Sequence, residues 1–304
     1  MSDPVAIHAE IRALASERDA VMLAHNYQRA EVQDVADYVG DSLGLSRQAA
    51  ATDASVIVFA GVHFMAETAK ILSPDKTVLM PEPRAGCPMA DMLTGEQLAA
   101  WREQHPGVPV VTYVNSSAQV KALSDICCTS ANAVEVVRSL GTSRILFGPD
   151  RNLAAWVGSQ LPDVEIIAWE GWCPTHDDVT VEQVREAMGR HSSAEVIAHP
   201  ECRPEVTELA DAVLSTSQML RYAAASEADE FIVLTEEGLL HGLAKAAPGK
   251  RFVNLTPRMI CPNMKVTTIE KVRDSLTGMH TAIEVDPETA RRALGAVERM
   301  VALG

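Results

Sequence analysis

The chain has 304 residues, 47% of them hydrophobic, and a formal net charge of −15. This negative charge argues against nucleic acid and anionic membranes as partners, because phosphate surfaces are bound by clusters of basic side chains. No apolar run reaches the roughly 18 residues of a membrane-spanning helix, and the N-terminal residues lack the pattern of a signal peptide. We therefore expect a cytoplasmic protein.

The first predicted elements are a helix and then a strand over residues 21–24, which ends at His25-Asn26-Tyr27. A helix-like run follows and ends at Asp41-Ser42, and an apolar strand covers residues 56–60. A loop then carries Cys87, which is followed by proline. This alternation of apolar strands and helices is typical of a parallel sheet that is covered on both faces.

The same order of elements recurs twice along the chain. The leading strand, the next helix and the buried strand are predicted over residues 109–113, 118–126 and 144–148 in the second copy, and over residues 195–199, 205–213 and 231–235 in the third. Equivalent threonine caps open three helices at Thr94, Thr180 and Thr268. A fixed period indicates a repeated architecture, so we predict three copies of one unit.

Three of the six cysteines share this period. Cys87, Cys173 and Cys261 are separated by 86 and 88 residues, and each precedes a proline. Ligands of open α/β sheets bind beyond the carboxyl ends of the strands, so three equivalent loops can bring these thiols to a shared centre. The other cysteines fall outside the period: Cys127, Cys128 and Cys202.

These observations predict the α/β class, with three homologous three-layer α/β/α domains built on parallel sheets. The domains are placed at residues 1–91, 92–178 and 179–266. Residues 267–304 form a C-terminal tail, which begins a fourth copy without completing it. We expect this tail to pack on the first domain and to close the ring of domains.

The periodic cysteines allow three interpretations. They can be small core residues, as unpaired cysteines often are. They can bind zinc together with His176, which would complete the four ligands that zinc prefers. They can also hold an iron–sulfur cluster, in which three thiolates would leave one iron open to act as a Lewis acid.

Several longer motifs resemble those of the quinolinate synthases, the A proteins of NAD biosynthesis. The resemblance covers nearly the whole chain and rests on His25-Asn26-Tyr27, Gly40-Asp41-Ser42, the run from Tyr113 to Lys121, Cys128-Thr129-Ser130-Ala131-Asn132, the run from Gly171 to His176, His199-Pro200-Glu201-Cys202, and the run from Cys261 to Lys265. It implies a pseudo-three-fold arrangement of the domains around a central cavity, with one [4Fe–4S] cluster on three cysteines. It also implies a transferase-type enzyme that condenses iminoaspartate with dihydroxyacetone phosphate to quinolinic acid, phosphate and water.

The resemblance assigns roles to individual residues. The cluster ligands are Cys87, Cys173 and Cys261. The catalytic residues are Tyr27, Tyr113, His199 and Glu201, with His176 as a further active-site position. The residues that hold the carboxylates and the phosphate are His25, Ser42, Asn115, Ser130, Ser215 and Thr216. For the proton transfers of this reaction we expect groups that titrate or form hydrogen bonds near neutral pH, chiefly His199, with Glu201 two residues further on.

Some family members carry a second cysteine three residues after the third cluster ligand, with a proposed role in redox regulation. This chain has Met264 there, so we predict no regulatory disulfide around Cys261.

The implied partners are the two small substrates and an enzyme that produces iminoaspartate, such as L-aspartate oxidase. Two rival functions stay open: a zinc-dependent hydro-lyase, and a non-catalytic binding protein for a small dicarboxylate.

Overall fold

The computed structural model describes residues 4–255 and 259–303. Within these ranges the strands are β1 (Ala20–His25), β2 (Tyr38–Gly40), β3 (Val56–Ala60), β4 (Thr77–Leu79), β5 (Val110–Tyr113), β6 (Ile126–Cys128), β7 (Arg144–Gly148), β8 (Glu165–Ala168), β9 (Glu195–Ala198), β10 (Ala212–Val213), β11 (Glu230–Leu234) and β12 (Arg251–Asn254). A short 3-10 helix covers Ala90–Met92.

The α-helices alternate with these strands. They are α1 (Pro4–Glu17), α2 (Ala30–Val35), α3 (Ser42–Ala51), α4 (His63–Leu72), α5 (Gly95–Gln104), α6 (Ala118–Lys121), α7 (Ala133–Ser139), α8 (Arg151–Gln160), α9 (Pro174–Asp177), α10 (Val181–Arg190), α11 (Pro204–Thr207), α12 (Thr216–Ala225), α13 (Leu239–Ala246), α14 (Pro262–Lys265), α15 (Ile269–Gly278) and α16 (Pro287–Ala302). Among the described residues, no helix is both long enough and apolar enough to cross a membrane.

Three parallel sheets of four strands each repeat one topology. Their strand orders are β2-β1-β3-β4, β6-β5-β7-β8 and β10-β9-β11-β12. The leading strand of each repeat therefore lies second in its sheet, between a short edge strand and the next long strand. This regularity confirms the predicted α/β class and the three repeated parallel sheets.

The two faces of each sheet belong to different hydrophobic clusters. Leu23, Val111 and Ile197 occupy equivalent positions of β1, β5 and β9, and all three belong to one buried cluster. Because successive residues of a strand point to opposite faces, their preceding neighbours belong to three separate clusters: Met22, Val110 and Val196. One face of every sheet thus contributes to a common core, which holds the three repeats against each other.

Three predicted helices were wrong in their second halves. The run expected to end at Asp41-Ser42 forms α2, which ends at Val35 and is followed by edge strand β2. The helix expected over residues 118–126 ends at Lys121, and the chain then forms edge strand β6. The helix expected over residues 205–213 ends at Thr207 and is followed by edge strand β10. These edge strands have only two or three residues and pair on one side, so they leave no periodic pattern in the sequence.

An aspartate fixes the start of each edge strand. Its carboxylate accepts the backbone N–H of a residue in the leading strand, at 2.8 Å for Asp37, 2.8 Å for Asp125 and 2.7 Å for Asp211. The loop after each edge strand therefore leaves the sheet at a fixed point beside the leading strand. The predicted serines and threonine of the site lie in these loops or at the starts of the helices that follow them.

The C-terminal segment contacts two repeats. Helix α15 packs against α1, α2 and β3, whereas α16 packs against α3 and α4 of the first repeat and against α6 and β6 of the second. Between these helices, the Ile283 N–H donates to the Val78 carbonyl at 2.8 Å, which places the segment antiparallel to β4. The predicted domain boundaries and the closure of the ring by the tail remain predictions.

Candidate active site

A single cavity of about 160 Å³ collects the predicted site residues from all three repeats. Its lining includes the three periodic cysteines and the predicted histidines, tyrosines and glutamate: Cys87, Cys173, Cys261, His25, His176, His199, Tyr27, Tyr113 and Glu201. It also includes most of the predicted substrate-binding residues: Ser42, Asn115, Ser130 and Thr216. Of the predicted site residues, Ser215 alone is absent from the described residues that line this cavity.

The strand ends explain why these side chains meet. His25 and Tyr113 are the last residues of β1 and β5, and His199 follows β9 directly. The residue two positions further along the chain also lines the cavity in each case: Tyr27, Asn115 and Glu201. The carboxyl ends of three equivalent parallel strands thus deliver one pair of polar side chains each, as expected for open α/β sheets.

Glu201 is a buried carboxylate at the centre of this group. One of its oxygens accepts a hydrogen bond from the Tyr113 hydroxyl at 2.6 Å, and the other lies 2.8 Å from Nδ1 of His176. Burial alone would raise the pKa of Glu201, but the hydrogen bonds from His176 and Tyr113 to its two oxygens hold this pKa below its usual range. Glu201 is therefore an anion that accepts hydrogen bonds within the cavity.

The two strand-end histidines have the same tautomer. The backbone N–H of Tyr27 donates to Nδ1 of His25 at 3.2 Å, and the N–H of Glu201 donates to Nδ1 of His199 at 3.3 Å. Because Nδ1 is the acceptor, Nε2 carries the proton in each neutral ring. Nε2 of His199 accordingly donates to the Ser130 hydroxyl at 3.2 Å.

Burial keeps both of these histidines neutral. It lowers the pKa of His25 to about 4 and that of His199 to about 3, because a buried imidazolium loses its hydration. His199 therefore forms hydrogen bonds near neutral pH and does not titrate there. Both rings act as neutral N–H donors, which suits the stabilisation of an oxyanion better than proton abstraction.

Tyr27 is held by contacts from the third repeat. Its hydroxyl lies 2.6 Å from that of Thr235, and its backbone carbonyl accepts from Nζ of Lys265 at 2.6 Å. Gly238 permits this close approach, because a Cβ atom there would lie 2.7 Å from the Tyr27 carbonyl oxygen. Burial raises the pKa values of Tyr27 and Tyr113 well above the usual range, so both are phenols.

The three cysteines occupy the same kind of loop. Cys173 and Cys261 directly precede α9 and α14, each of which begins with proline, and Cys87 precedes the 3-10 helix. The backbone N–H groups of His176 and Met264 donate to the carbonyls of Cys173 and Cys261, and they lie close enough to the two sulfur atoms to counteract part of the rise in thiol pKa that burial causes. Donors of this kind favour thiolates, which are the form of cysteine that binds metals.

The protein alone does not supply the charge that would keep these thiols ionised. Burial raises the pKa of Cys87 to about 12 and also raises the pKa values of Cys173 and Cys261. Each sulfur also lies close enough to another of the three to oppose its ionisation. A cationic group bound between them would reverse this effect. Three soft ligands with N–H donors in one cavity therefore fit an iron–sulfur cluster.

A single zinc ion fits the three thiols less well. The ligands of one zinc lie at most about 4.6 Å apart, given Zn–S distances of about 2.3 Å. Among the described residues, the group with three ligand atoms within 4.8 Å of one another is Cys173, His176 and Glu201. The three cysteine sulfurs do not form such a group, which favours a ligand with several separate metal corners over one central ion.

Two buried carboxylates beside the cysteine loops were not predicted from the sequence. Glu236 accepts the backbone N–H of Cys261 at 3.1 Å, whereas Asp150 accepts the backbone N–H of Leu153 at 2.7 Å and caps α8. Both follow the second long strand of their repeats by two residues. Their position beyond the carboxyl ends of β7 and β11 was a signal that could have found them.

Ser215 lies behind the cavity wall. Its side chain accepts the N–H of Gln218 and so caps α12, and its hydroxyl lies 3.3 Å from a carboxylate oxygen of Asp41. Asp41 itself lines the cavity and was not among the predicted site residues. Ser215 therefore supports the wall through Asp41 and the start of α12, where Thr216 does reach the cavity.

Comparisons with known proteins agree with this geometry. A sequence model of the family described as quinolinate synthetase A protein matches residues 9–302. The chain is 54% identical over 294 residues to a protein named quinolinate synthase from Thermodesulfovibrio yellowstonii, with 97% of each chain covered. Proteins of the same name from Geobacter metallireducens and Clostridium kluyveri are each 53% identical, over 297 and 294 residues, with at least 97% of each chain covered.

Proposed function

Because the chain belongs to the quinolinate synthetase A protein family and is therefore an enzyme of NAD biosynthesis, we propose that it condenses iminoaspartate with dihydroxyacetone phosphate. The products are quinolinic acid, phosphate and two waters. One observation carries the proposal: a single cavity joins three cysteine thiols to an anionic carboxylate surrounded by hydroxyl and imidazole groups.

The cysteines Cys87, Cys173 and Cys261 would hold a [4Fe–4S] cluster. When bound through three thiolates, such a cluster supplies an open iron that acts as a Lewis acid toward an oxygen of the substrate. Glu236 supports this role because it holds the backbone of the Cys261 loop.

The protein's own side chains supply the proton transfers and hold the charges. Glu201, an anion in a buried site, holds Tyr113 and His176 by hydrogen bonds and so orients them for proton transfer with the substrate. His25 and His199 stay neutral and donate hydrogen bonds through Nε2–H, His25 toward an oxyanion of the substrate and His199 to the Ser130 hydroxyl. Oδ1 of Asn115 is buried without a hydrogen-bond partner among the described residues, so it suits an N–H or O–H group of the substrate.

The phosphate and carboxylates would bind beside the starts of α3 and α12. Ser42 and Thr216 are the first residues of these helices and line the cavity. Helix N-termini offer backbone N–H groups and a positive dipole end to anions. This arrangement allows a chain with a net charge of −15 to bind anionic substrates through local groups.

Iron and sulfide analysis of three alanine variants tests the cluster. Anaerobically purified wild-type protein should contain about four irons and four sulfides per chain and show a broad brown absorption band, as a [4Fe–4S] cluster requires. Cys87→Ala, Cys173→Ala and Cys261→Ala should lose the band. Cys202→Ala is the matched control, since Cys202 is buried outside the cavity lining. A wild-type level of iron in Cys173→Ala would contradict the assignment.

The group of Cys173, His176 and Glu201 favours one alternative, a hydro-lyase with a single divalent ion. The same purified samples decide between the iron–sulfur enzyme and this hydro-lyase, because the hydro-lyase would contain about one zinc per chain and little iron.

A cytoplasmic location and functional coupling to an iminoaspartate-producing enzyme such as L-aspartate oxidase remain predictions.

A further inference from the structure

A fully buried lysine lies beside the cavity wall. Lys121 is the last residue of α6, and its ammonium donates to the backbone carbonyl of Ser116. The same ammonium lies 5.4 Å from the ring centroid of Phe64, which lines the cavity together with Cys87. A buried ammonium loses its hydration, so it persists only where other groups compensate its charge.

The first repeat shows that this hydrogen bond does not require a charge. Gln33 is the fourth residue of α2, and its side-chain amide donates to the Gln28 carbonyl at 2.8 Å. Lys121 is likewise the fourth residue of α6, and Ser116 stands two residues before that helix, as Gln28 does before α2. A neutral amide therefore makes in the first repeat the contact that an ammonium makes in the second. The positive charge of Lys121 needs a further explanation.

This charge is not balanced by a carboxylate. Among the described residues, no ion pair joins Lys121 to an acidic side chain, and Oε2 of Glu67 accepts the backbone N–H of Ala118 at 3.1 Å instead. Burial lowers the pKa of Lys121, and negative charge on Glu67, Cys127 and Cys87 would oppose this effect. Of the two cysteines, Cys87 is the one that lines the cavity. An anionic group bound there would supply the missing counter-charge.

We propose that Lys121 supplies the buried positive charge that balances the anionic group held by Cys87, and so influences how readily that group accepts an electron. A [4Fe–4S] cluster on three thiolates is anionic, and the charge around a cluster influences its reduction potential. A buried cation nearby favours the reduced, more negative state. This inference rests on the proposed function and adds a residue that controls the charge of the cluster's surroundings.

Removal of the charge with retention of the hydrogen-bond donor tests this proposal. Lys121→Gln reproduces the amide of Gln33, so the equilibrium constant for one-electron reduction should fall about tenfold, which is a shift of about 59 mV to lower potential. Lys121→Arg keeps the charge and should stay within about threefold of the wild type. Lys245→Gln is the matched control, because it removes the same charge from an exposed lysine of the third repeat.

The reduction potential is measured without turnover. Each variant is purified anaerobically, its iron content is determined, and the cluster is titrated potentiometrically while electron paramagnetic resonance follows the reduced form. A Lys121→Gln potential equal to that of Lys245→Gln would overturn the inference, and so would an equal shift in Lys121→Arg. In both cases the iron content of the wild type would still support the proposed function.

The iron content of the variants also decides the case in which Lys121→Gln assembles no cluster. A wild-type iron content in Lys121→Arg would then support the inference, because the charge alone distinguishes the two variants as donors to Ser116. Loss of iron from Lys121→Arg as well would overturn it. A wild-type protein that binds no iron after anaerobic reconstitution would remove both the inference and the proposed function.

Discussion

Replacing Asn132 with alanine should release the C-terminal helix from the loop that carries Ser130. Oδ1 of Asn132 accepts from the backbone N–H and the hydroxyl of Thr129 at 2.8 and 3.1 Å. Its Nδ2 donates to the carbonyls of Met300 and Leu303 at 3.1 and 2.9 Å. One buried amide therefore ties the end of α16 to the active-site wall.

The size of the effect follows from these four hydrogen bonds. Each contributes about 1 kcal/mol net, and water can replace part of them near the chain end, so the variant should lose about 2–4 kcal/mol of unfolding free energy. For a chain of this length, 1 kcal/mol corresponds to about 1.5 °C in Tm. The expected decrease in Tm is therefore about 3–6 °C.

The Asn132→Ala variant should have a raised KM and a wild-type iron content. Ser130 accepts a hydrogen bond from Nε2 of His199, so a loosened loop should weaken substrate binding without affecting the cysteines. Thermal denaturation and steady-state kinetics measure the two effects. Glu135→Ala is the control, since Glu135 is exposed on the following helix α7. If Asn132→Ala matches this control in both Tm and KM, α16 does not support the site.

Three further predictions concern single residues. Tyr27→Phe should lower turnover without loss of iron, because the phenol lies in the cavity and is not a cluster ligand; unchanged turnover would exclude it from the catalytic residues. Glu236→Gln should speed anaerobic iron release to a chelator, because the carboxylate that holds the Cys261 N–H is lost; a wild-type release rate would count against this support. Arg84 and Lys271 lower the pKa of Glu82 to about 2 in the folded protein, below the value of about 4.5 expected when unfolded. The stability that Glu82 contributes is therefore complete above about pH 4.5 and lost as pH falls toward 2. The Tm difference between wild type and Glu82→Gln should shrink over that range, and a constant difference would refute the assignment.

The sequence carried most of the information about the repeats and the cavity. The spacing of Cys87, Cys173 and Cys261 predicted three equivalent loops, and the polar pairs at the strand ends predicted which side chains meet there. Both signals are local and recur with one period, so they can be read without the fold. The short edge strands were missed because two or three residues leave no pattern.

The remaining features depend on contacts between residues far apart in the chain. Asp41 gains its support from Ser215, 174 residues away, and Asn132 from Met300, 168 residues away. The neutral state of His199 arises from burial, which lowers its pKa to about 3. A motif shows which residue types are present, whereas tautomers, burial and hydrogen-bond direction come from the assembled repeats.

Quinolinate formation by the anaerobically reconstituted protein is the most direct test of the proposed function. Iminoaspartate and dihydroxyacetone phosphate are supplied together, and quinolinic acid and released phosphate are quantified against a Cys173→Ala control of matched concentration. We expect equal amounts of quinolinic acid and phosphate from the wild type and neither from the control. A fully reconstituted wild-type protein that forms no quinolinic acid, or a control that forms as much, would contradict the assignment of this cavity.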